Sequence, residues 1–185
     1  MHDRELYRQI LGIQAPWEVS DVQVDLPGTG VTVHIRHSGE GLACPECSTS
    51  CPGYDTRTRK WRHLDTCQYK TWLVAEVPRV ACPEHGVHQV SVAWAEGNSR
   101  LTALFEALVI DWLKVATISE VAKRLDLGWS AVAGVHERAV RRGLARREQA
   151  FPEAIGIDET SFQRRHEYVT VISAGNRVLH VADGR

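Results

Sequence analysis

The tetrapeptides Cys44-Pro45-Glu46-Cys47 and Cys82-Pro83-Glu84-His85 decide the fold of this chain, because each places two metal-ligating side chains two residues apart. That spacing lets a tight turn point both side chains at one ion. Two such knuckles form a Cys3His set, which suits a structural zinc ion in tetrahedral coordination. We therefore predict zinc ligation by Cys44, Cys47, Cys82 and His85, with His88 as an alternative to His85.

The segments around the knuckles have the two-residue hydrophobic period of half-buried strands. Residues 22–26 and 31–35 alternate in this way on either side of the turn Pro27-Gly28-Thr29-Gly30, which predicts a hairpin. A further strand, 71–80, leads into the second knuckle. The order of knuckle, strands and knuckle is that of a zinc ribbon with an enlarged insert.

Two further features accompany the predicted ribbon. Residues 3–13 predict a short helix with Leu6, Ile10 and Leu11 on one side. The basic and aromatic stretch 57–63 offers Trp61 either to the ribbon core, which is the interpretation we favour, or to a nucleic-acid base.

The overall composition limits the classes of function. The 185 residues carry a formal net charge of -1, so any nucleic-acid surface has to be a local patch. The charged N-terminus has no signal-peptide core, and no apolar run approaches the roughly 18 residues needed to cross a bilayer. We expect a cytoplasmic protein with no membrane partner, in which cysteines are thiols or metal ligands rather than disulfides. Cys51 and Cys67, which lie outside the knuckles, are expected to be buried free thiols.

Beyond Glu96-Gly97-Asn98-Ser99 the hydrophobic period changes from two to about 3.6, which predicts helices. The first helix has Ser99 as its expected N-cap. Its predicted apolar face consists of Leu101, Leu104, Phe105, Leu108, Val109, Trp112 and Leu113. A second helix begins at Thr117, which forms a capping box with Glu120. After a turn through Gly128, a third helix runs from near Ser130 to about Arg146, so the pattern predicts a helix-turn-helix rather than a plain bundle.

The local charge of this helical segment supports DNA binding. Seven basic residues (Lys123, Arg124, Arg138, Arg141, Arg142, Arg146 and Arg147) stand against Asp126, Glu137 and Glu148, an excess of +4. The predicted DNA-binding residues are Lys123, Arg124, Ser130, Gly134, Arg138, Arg141 and Arg142. The expected outward positions at the start of the third helix carry no Arg, Asn or Gln that could read a base edge. We therefore expect non-specific, salt-sensitive affinity, with sequence preference supplied by the ribbon or a partner.

The last segment predicts three strands. Residues 154–158 form a short strand ending in Asp158, and 168–173 and 177–182 form two more, joined by the turn 174–176. A carboxylate at a strand end either binds a metal or caps the next turn, and the residue alone leaves both roles open.

In combination these motifs resemble the N-terminal half of bacterial insertion-sequence transposases of the ISL-three type. The resemblance rests on the two knuckles, the helix-turn-helix and Ile155-Gly156-Ile157-Asp158-Glu159. The further segments are Trp61-Arg62-His63-Leu64-Asp65, residues 77–83 and Tyr168-Val169-Thr170-Val171. The resemblance implies binding to the terminal inverted repeats of the insertion element. It also implies that the last segment opens a ribonuclease-H-like domain that cuts DNA with magnesium and a DDE carboxylate set, of which Asp158 matches the first.

The expected architecture is α+β with three modules. A β-rich zinc ribbon with its N-terminal helix and hairpin occupies residues 1–96, and a three-helix helix-turn-helix occupies 97–150. The third module, 151–185, is an incomplete three-stranded ribonuclease-H-like sheet.

The second and third carboxylates of the set have no match here, so we expect catalysis by this chain alone to be absent. An incomplete sheet exposes an edge and an apolar face, which favours association into a homo-oligomer. Two rival hypotheses are a free-standing zinc-dependent DNA-binding regulator and a zinc-stapled protein-interaction module.

Overall fold

The computed structural model describes residues 3–39, 41–147, 152–163 and 167–183. Glu148, which entered the charge count, lies outside these ranges. The chain divides into two compact units, Met1–Val140 and Arg141–Arg185. Within the described residues the architecture is mixed α+β, and it has no helix long and apolar enough to span a membrane. The first unit contains both the predicted ribbon and most of the predicted helical segment.

A five-stranded sheet organises the first unit, in the order β1-β2-β6-β5 with β7 added to β6. The strands are β1 (Trp17–Asp25), β2 (Gly30–His37), β5 (Gly53–Thr66), β6 (Tyr69–Cys82) and β7 (Gly86–Gln89). The predicted hairpin of β1 and β2 is confirmed, and so is the strand leading into the second knuckle. The basic and aromatic stretch forms part of β5, a strand that the sequence analysis did not assign.

The central pairing of this sheet is parallel, since β2 runs alongside β6 from Gly30↔Lys70 to Ile35↔Ala75. One face carries the core, where Val33, Leu73 and Trp61 lie side by side and are at most 1% exposed. Trp61 packs edge to face on Trp94 with ring centroids 5.4 Å apart, so the interpretation of Trp61 as a core residue is confirmed.

The first helix, α1 (Asp3–Ile10), ends earlier than predicted and turns a different side inward. Tyr7 is its buried residue, whereas Leu6 and Ile10 are exposed. The predicted apolar side was therefore wrong for Leu6 and Ile10, whereas Leu11, just beyond the helix, packs against the ribbon core. The ring of Tyr7 joins the ribbon core, and its hydroxyl lies 3.2 Å from Thr66 Oγ1.

Three further helices, α2 (Ala103–Leu113), α3 (Ile118–Leu125) and α4 (Trp129–Ala145), share a second core. This core contains Leu101, Phe105, Val109, Val121, Ala122, Val132 and Val135. The capping box of α3 is confirmed, since Thr117 Oγ1 accepts from Glu120 N and Glu120 accepts from Thr117 N.

The N-cap of α2 is Thr102, not Ser99 as predicted. Ser99 is buried, and its hydroxyl donates to Glu106 Oε1 at 2.7 Å, which holds it away from the helix start. Leu104 of the predicted apolar face is 48% exposed.

The predicted turn through Gly128 lies between α3 and α4, at residues 126–128. Its residue in the left-handed conformation is Asp126, with φ 53°. Gly128 directly precedes α4, and its carbonyl accepts hydrogen bonds from Ala131 N and Val132 N in the first turn of that helix.

The second unit contains an antiparallel sheet in the order β10-β9-β8. Its strands are β8 (Gly156–Gln163), β9 (Glu167–Ala174) and β10 (Arg177–Asp183), which confirms the three predicted strands. The prediction that Asp158 ends its strand was wrong, because Asp158 is the third residue of β8 and lies opposite Val171.

Candidate zinc centre and nucleic-acid interface

The four predicted zinc ligands converge at one point. Cys44 and Cys47 lie in the turn between β3 (Leu42–Ala43) and β4 (Ser50–Cys51). Cys82 is the last residue of β6, and His85 lies in the turn between β6 and β7. The Cys47 and Cys82 sulfurs are 3.8 Å apart, and His85 Nδ1 lies 3.5 Å from Cys82 Sγ and 3.8 Å from Cys44 Sγ. All four ligand atoms lie within 4.8 Å of one another.

These separations match a tetrahedral zinc site. With Zn–S about 2.3 Å and Zn–N about 2.0 Å, tetrahedral geometry places two sulfurs about 3.8 Å apart and a sulfur and a nitrogen about 3.5 Å apart. Hydrogen bonds from the Thr49 side chain and amide lower the pKa of Cys47 to about 6, which favours the thiolate that zinc requires. The donor set therefore fits a closed structural site, which leaves no coordination position for chemistry.

The alternative fourth ligand, His88, is turned to another partner. Its Nε2 lies 2.6 Å from the carbonyl oxygen of His85 and donates to it, and it is not part of the four-atom cluster. Of the two other cysteines, Cys51 is buried as predicted, with its thiol donating to Thr49 O. Cys67 is exposed, so the prediction that it is buried was wrong.

Arg62 joins the ribbon to the helices. Its guanidinium donates to the His63 and Thr71 carbonyls, pairs with Asp65 and lies 4.9 Å above the Phe105 ring of α2. The backbone of Arg62 also bridges to the segment before α2, because Arg62 N donates to Arg100 O and Thr102 N donates to Arg62 O.

His63 and Leu64 strengthen this junction. His63 Nδ1 lies 2.9 Å from Thr102 Oγ1, the atom that caps α2. A register shift between His63 and Thr66 inserts an extra residue into β5, and Leu64 packs into the helical core at this point. A period-two hydrophobic pattern does not reveal a bulge, so this junction was not predicted from the sequence.

The predicted DNA-binding residues differ in their exposure. Lys123, Arg124, Ser130 and Arg141 are exposed, whereas Gly134 and Arg142 are half-buried. The guanidinium of Arg124 stacks on the Trp112 ring at 5.6 Å, which holds it at the surface of α3. Nothing in the structure tests whether these residues touch DNA, so their role stays a prediction.

Arg138 has a partner inside the protein. Its Nη2 lies 2.5 Å from Glu106 Oε1, and Glu106 is only 3% exposed. A Cβ at Gly134 would lie 3.3 Å from Arg138 Nη1, so a small residue there leaves room for this ion pair. The Arg138 guanidinium thus fastens α4 to α2.

Trp129, the first residue of α4, is 58% exposed and was not singled out from the sequence. Its neighbours Ser130 and Ala131 are also exposed. Its position directly after the predicted turn is the signal from which an exposed residue at the start of the helix could have been predicted. The start of α4 therefore presents a large aromatic surface without a charged or amide side chain.

Asp158 is exposed on β8. Among the described residues, the zinc cluster is the single group of three or more side chains placed to hold a metal, and Asp158 does not belong to it.

Comparisons with known proteins agree with both sites. Residues 41–85 match the family model described as the zinc-finger of transposase IS204/IS1001/IS1096/IS1165. Residues 90–141 match the helix-turn-helix domain of transposase family ISL3. No solved structure matches the chain.

Two curated relatives cover almost all of this chain. A transposase for insertion sequence element IS1557 from Mycobacterium tuberculosis is 33% identical over 182 residues, 93% of this chain and 40% of the relative. A transposase for insertion sequence element IS1001 from Bordetella parapertussis is 24% identical over 190 residues, 100% of this chain and 47% of the relative. The chain thus spans less than half the length of these relatives. With a zinc ribbon and a helix-turn-helix domain that both match its family models, the chain belongs to the ISL3 family of insertion-sequence transposases.

Proposed function

We propose that this chain is the DNA-binding portion of a transposase and that it holds double-stranded DNA at the terminal inverted repeats of an insertion sequence. The observation that carries the proposal is the α3–turn–α4 arrangement, in which the first turn of α4 is exposed while Val132 and Val135 anchor it in the core. In a helix-turn-helix the second helix enters the major groove with its N-terminal residues at the base edges.

The charged residues around this surface suit phosphate contacts. Lys123, Arg124 and Arg141 are exposed cations on the two helices, and each could approach the DNA backbone. Ser130 adds a hydroxyl at the start of α4. Arg142 and Gly134 are half-buried. Arg138 supports the interface by holding α4 in place through Glu106.

The zinc ion has a structural role in this proposal. It joins the β3–β4 turn to the β6–β7 turn. Strand β6 connects this site, at Cys82, with the opposite end of the sheet, where Lys70 contacts Asp126 at the end of α3. Metal binding therefore stabilises the sheet on which the helix-turn-helix rests, without taking part in strand cleavage.

Fluorescence anisotropy with a labelled duplex tests the proposal. The zinc-loaded chain should bind a duplex carrying the element's end more tightly than a shuffled duplex of equal length, and the affinity should fall steeply with salt. Removing Lys123 or Arg141 should reduce the slope of log K against log salt by about 1 each. Arg8→Ala, at an exposed arginine of α1 paired with Glu5, is the matched control and should leave the slope unchanged. Equal affinity for both duplexes contradicts repeat recognition, and undetectable binding to either contradicts the DNA-binding role.

For the second unit, we propose that β8–β10 belongs to a ribonuclease-H-like domain in which Asp158 is the first carboxylate of a DDE set that binds magnesium in the complete enzyme. The order of three antiparallel strands and the position of Asp158 on β8 support this. We expect no magnesium-dependent cleavage by this chain, because a two-metal site needs several carboxylates. Cleavage that Asp158→Asn abolishes would overturn that expectation.

Self-association is proposed for the same sheet. Ile157, Val178 and Val181 are each more than half exposed on its two outer strands, β8 and β10. Within the residues that the structure describes, β8 and β10 each pair only with β9, and exposed apolar side chains on such sheet edges favour contact between copies. Sedimentation velocity at increasing concentration should show a dimer or larger species, and a monomer throughout would refute the idea.

A further inference from the structure

The tip of the β5–β6 hairpin has an uncommon backbone. Thr66 pairs directly with Tyr69, so Cys67 and Gln68 form a two-residue turn, and their φ angles are 49° and 71°. Positive φ at both central positions is the signature of a type I′ turn, for which Asn-Gly is the favoured sequence. This chain has two residues with full side chains there, each at an energetic cost that Asn-Gly would avoid.

The base of the tip is held firmly. Thr66 N donates to Thr71 Oγ1 at 3.1 Å, and the Thr66 and Thr71 hydroxyls are 2.9 Å apart. The Tyr7 hydroxyl of α1 completes this group through Thr66 Oγ1. Since Thr71 is fully buried, the turn projects from a fixed base. Its uncommon backbone is therefore imposed by the surrounding structure.

The tip lies beside the turn that precedes α4. Lys70, two residues after Gln68, forms an ion pair with Asp126, the left-handed residue that ends α3. The hydrogen bond from Lys70 lowers the pKa of Asp126, so this carboxylate stays charged and paired near neutral pH. Asp126 is three residues from Trp129, which places the hairpin next to the start of α4.

The two elements have complementary chemistry. The first turn of α4 presents Trp129, Ser130 and Ala131, none of which can form the paired hydrogen bonds that identify a base. Gln68 is exposed at the tip, and a glutamine amide can donate to N7 and accept from N6 of adenine at the same time. The hairpin thus carries the base-reading group that the helix lacks.

We propose that the β5–β6 hairpin tip is a second DNA-contacting element, in which Gln68 reads a base edge next to the bases covered by α4. This inference rests on the proposed function. It explains why the chain has Cys67-Gln68 where a more stable turn sequence is available, since a glycine at position 68 has no side chain to reach the DNA. Backbone strain of this kind is often kept at functional sites.

Selection from a random duplex library tests the proposal, with the zinc-loaded chain compared with three variants. Gln68→Ala removes the amide. Cys67→Asn/Gln68→Gly installs the favoured turn and removes the amide together. Gln23→Ala is the matched control, because Gln23 is an exposed glutamine of the same sheet whose amide bonds locally to Asp21.

We expect both position-68 variants to lose the preference for adenine at one or two positions of the selected motif. Affinity for the wild-type motif should fall by about 5- to 150-fold, which is the range for one bidentate base contact. The double variant should also melt about 2–4 °C higher than wild type, because the turn strain is relieved. Gln23→Ala should retain the full motif and affinity.

Three outcomes overturn the inference. A selected motif that is unchanged in Gln68→Ala excludes base reading by this residue. A loss of affinity that is uniform over all duplex sequences shows that Gln68 contacts only the DNA backbone. A double variant that is less stable than wild type refutes the strain argument. Failure of the wild-type chain to retain any duplex refutes the proposed function itself, and is recognised before the variants are compared.

Discussion

Lowering the pH should destabilise the first unit through one buried side chain, His63. His63 is 4% exposed, with Nδ1 against the Thr102 hydroxyl that caps α2. Burial, together with the adjacent Arg62 guanidinium, lowers the pKa of His63 from 6.5 to about 4. At a pH between about 4 and 6.5, His63 binds a proton in the unfolded chain but not in the folded chain. Stability is therefore highest above the unfolded pKa and falls as the pH drops toward 4.

The size of the effect follows from the two pKa values. A tenfold difference in proton affinity corresponds to about 1.4 kcal/mol, so a pKa of about 4 in place of 6.5 costs at most about 3 kcal/mol once the pH is below 4. At about pH 5 the loss is about 2 kcal/mol, or nearer 1 kcal/mol once solvent screening is included. Screening applies because His63 lines a cavity of about 320 Å³ beside Leu11 and Trp94.

Urea unfolding followed by tryptophan fluorescence measures this loss. All six tryptophans lie in the first unit, so the signal reports on the unit that contains His63. His63→Gln keeps a hydrogen-bonding group near Thr102 but cannot be charged. We expect the variant to be about 1 kcal/mol less stable than wild type at about pH 7.5, from the altered hydrogen bond and packing. The difference should shrink to zero or reverse at about pH 5. The zinc ligands are the same in both proteins, so pH-dependent zinc release cancels in the comparison. Parallel stability curves for the two proteins would refute the reasoning.

Three further predictions concern the zinc site and the helices. Cys47→Ser should reduce the zinc content from one per chain to none and lower the urea midpoint, and a variant that retains zinc by atomic absorption contradicts the ligand assignment. Thr117→Ala should cost about 1 kcal/mol of unfolding free energy, because it removes the hydroxyl that accepts from Glu120 N and donates to Glu120 Oε2, and a value near zero would show that this cap contributes nothing. Glu106→Ala should cost about 3 kcal/mol, since it leaves the half-buried Arg138 without its partner. Arg138→Met combined with Glu106→Ala should recover part of that loss of stability. A further decrease in the free energy of unfolding would show that the unpaired Arg138 charge is not the cause of the loss.

Local features of the chain were predicted well because they depend on short-range chemistry. The two knuckles, the β1–β2 hairpin and the Thr117–Glu120 capping box each involve residues a few positions apart, and the structure confirms them. The error in the N-cap of α2 arose because a residue outside the capping pattern binds the side chain that was predicted to cap the helix. Ser99 looks like an N-cap, but Glu106 binds its hydroxyl, and Thr102 caps the helix instead.

The sequence by itself predicted the four side chains that converge in one cluster, the β1–β2 hairpin, the three strands of the second unit, the helices within a few residues, and the family. Ligand spacing and hydrophobic period are properties of a short stretch of chain, so they can be read before folding is considered. The tertiary structure alone decided the parallel pairing of β2 with β6, the placement of Arg62 and His63 at the cap of α2, and the contact of Lys70 with Asp126. These join residues up to 56 positions apart. Their partners are selected by the packing of two cores against each other, which no local pattern encodes.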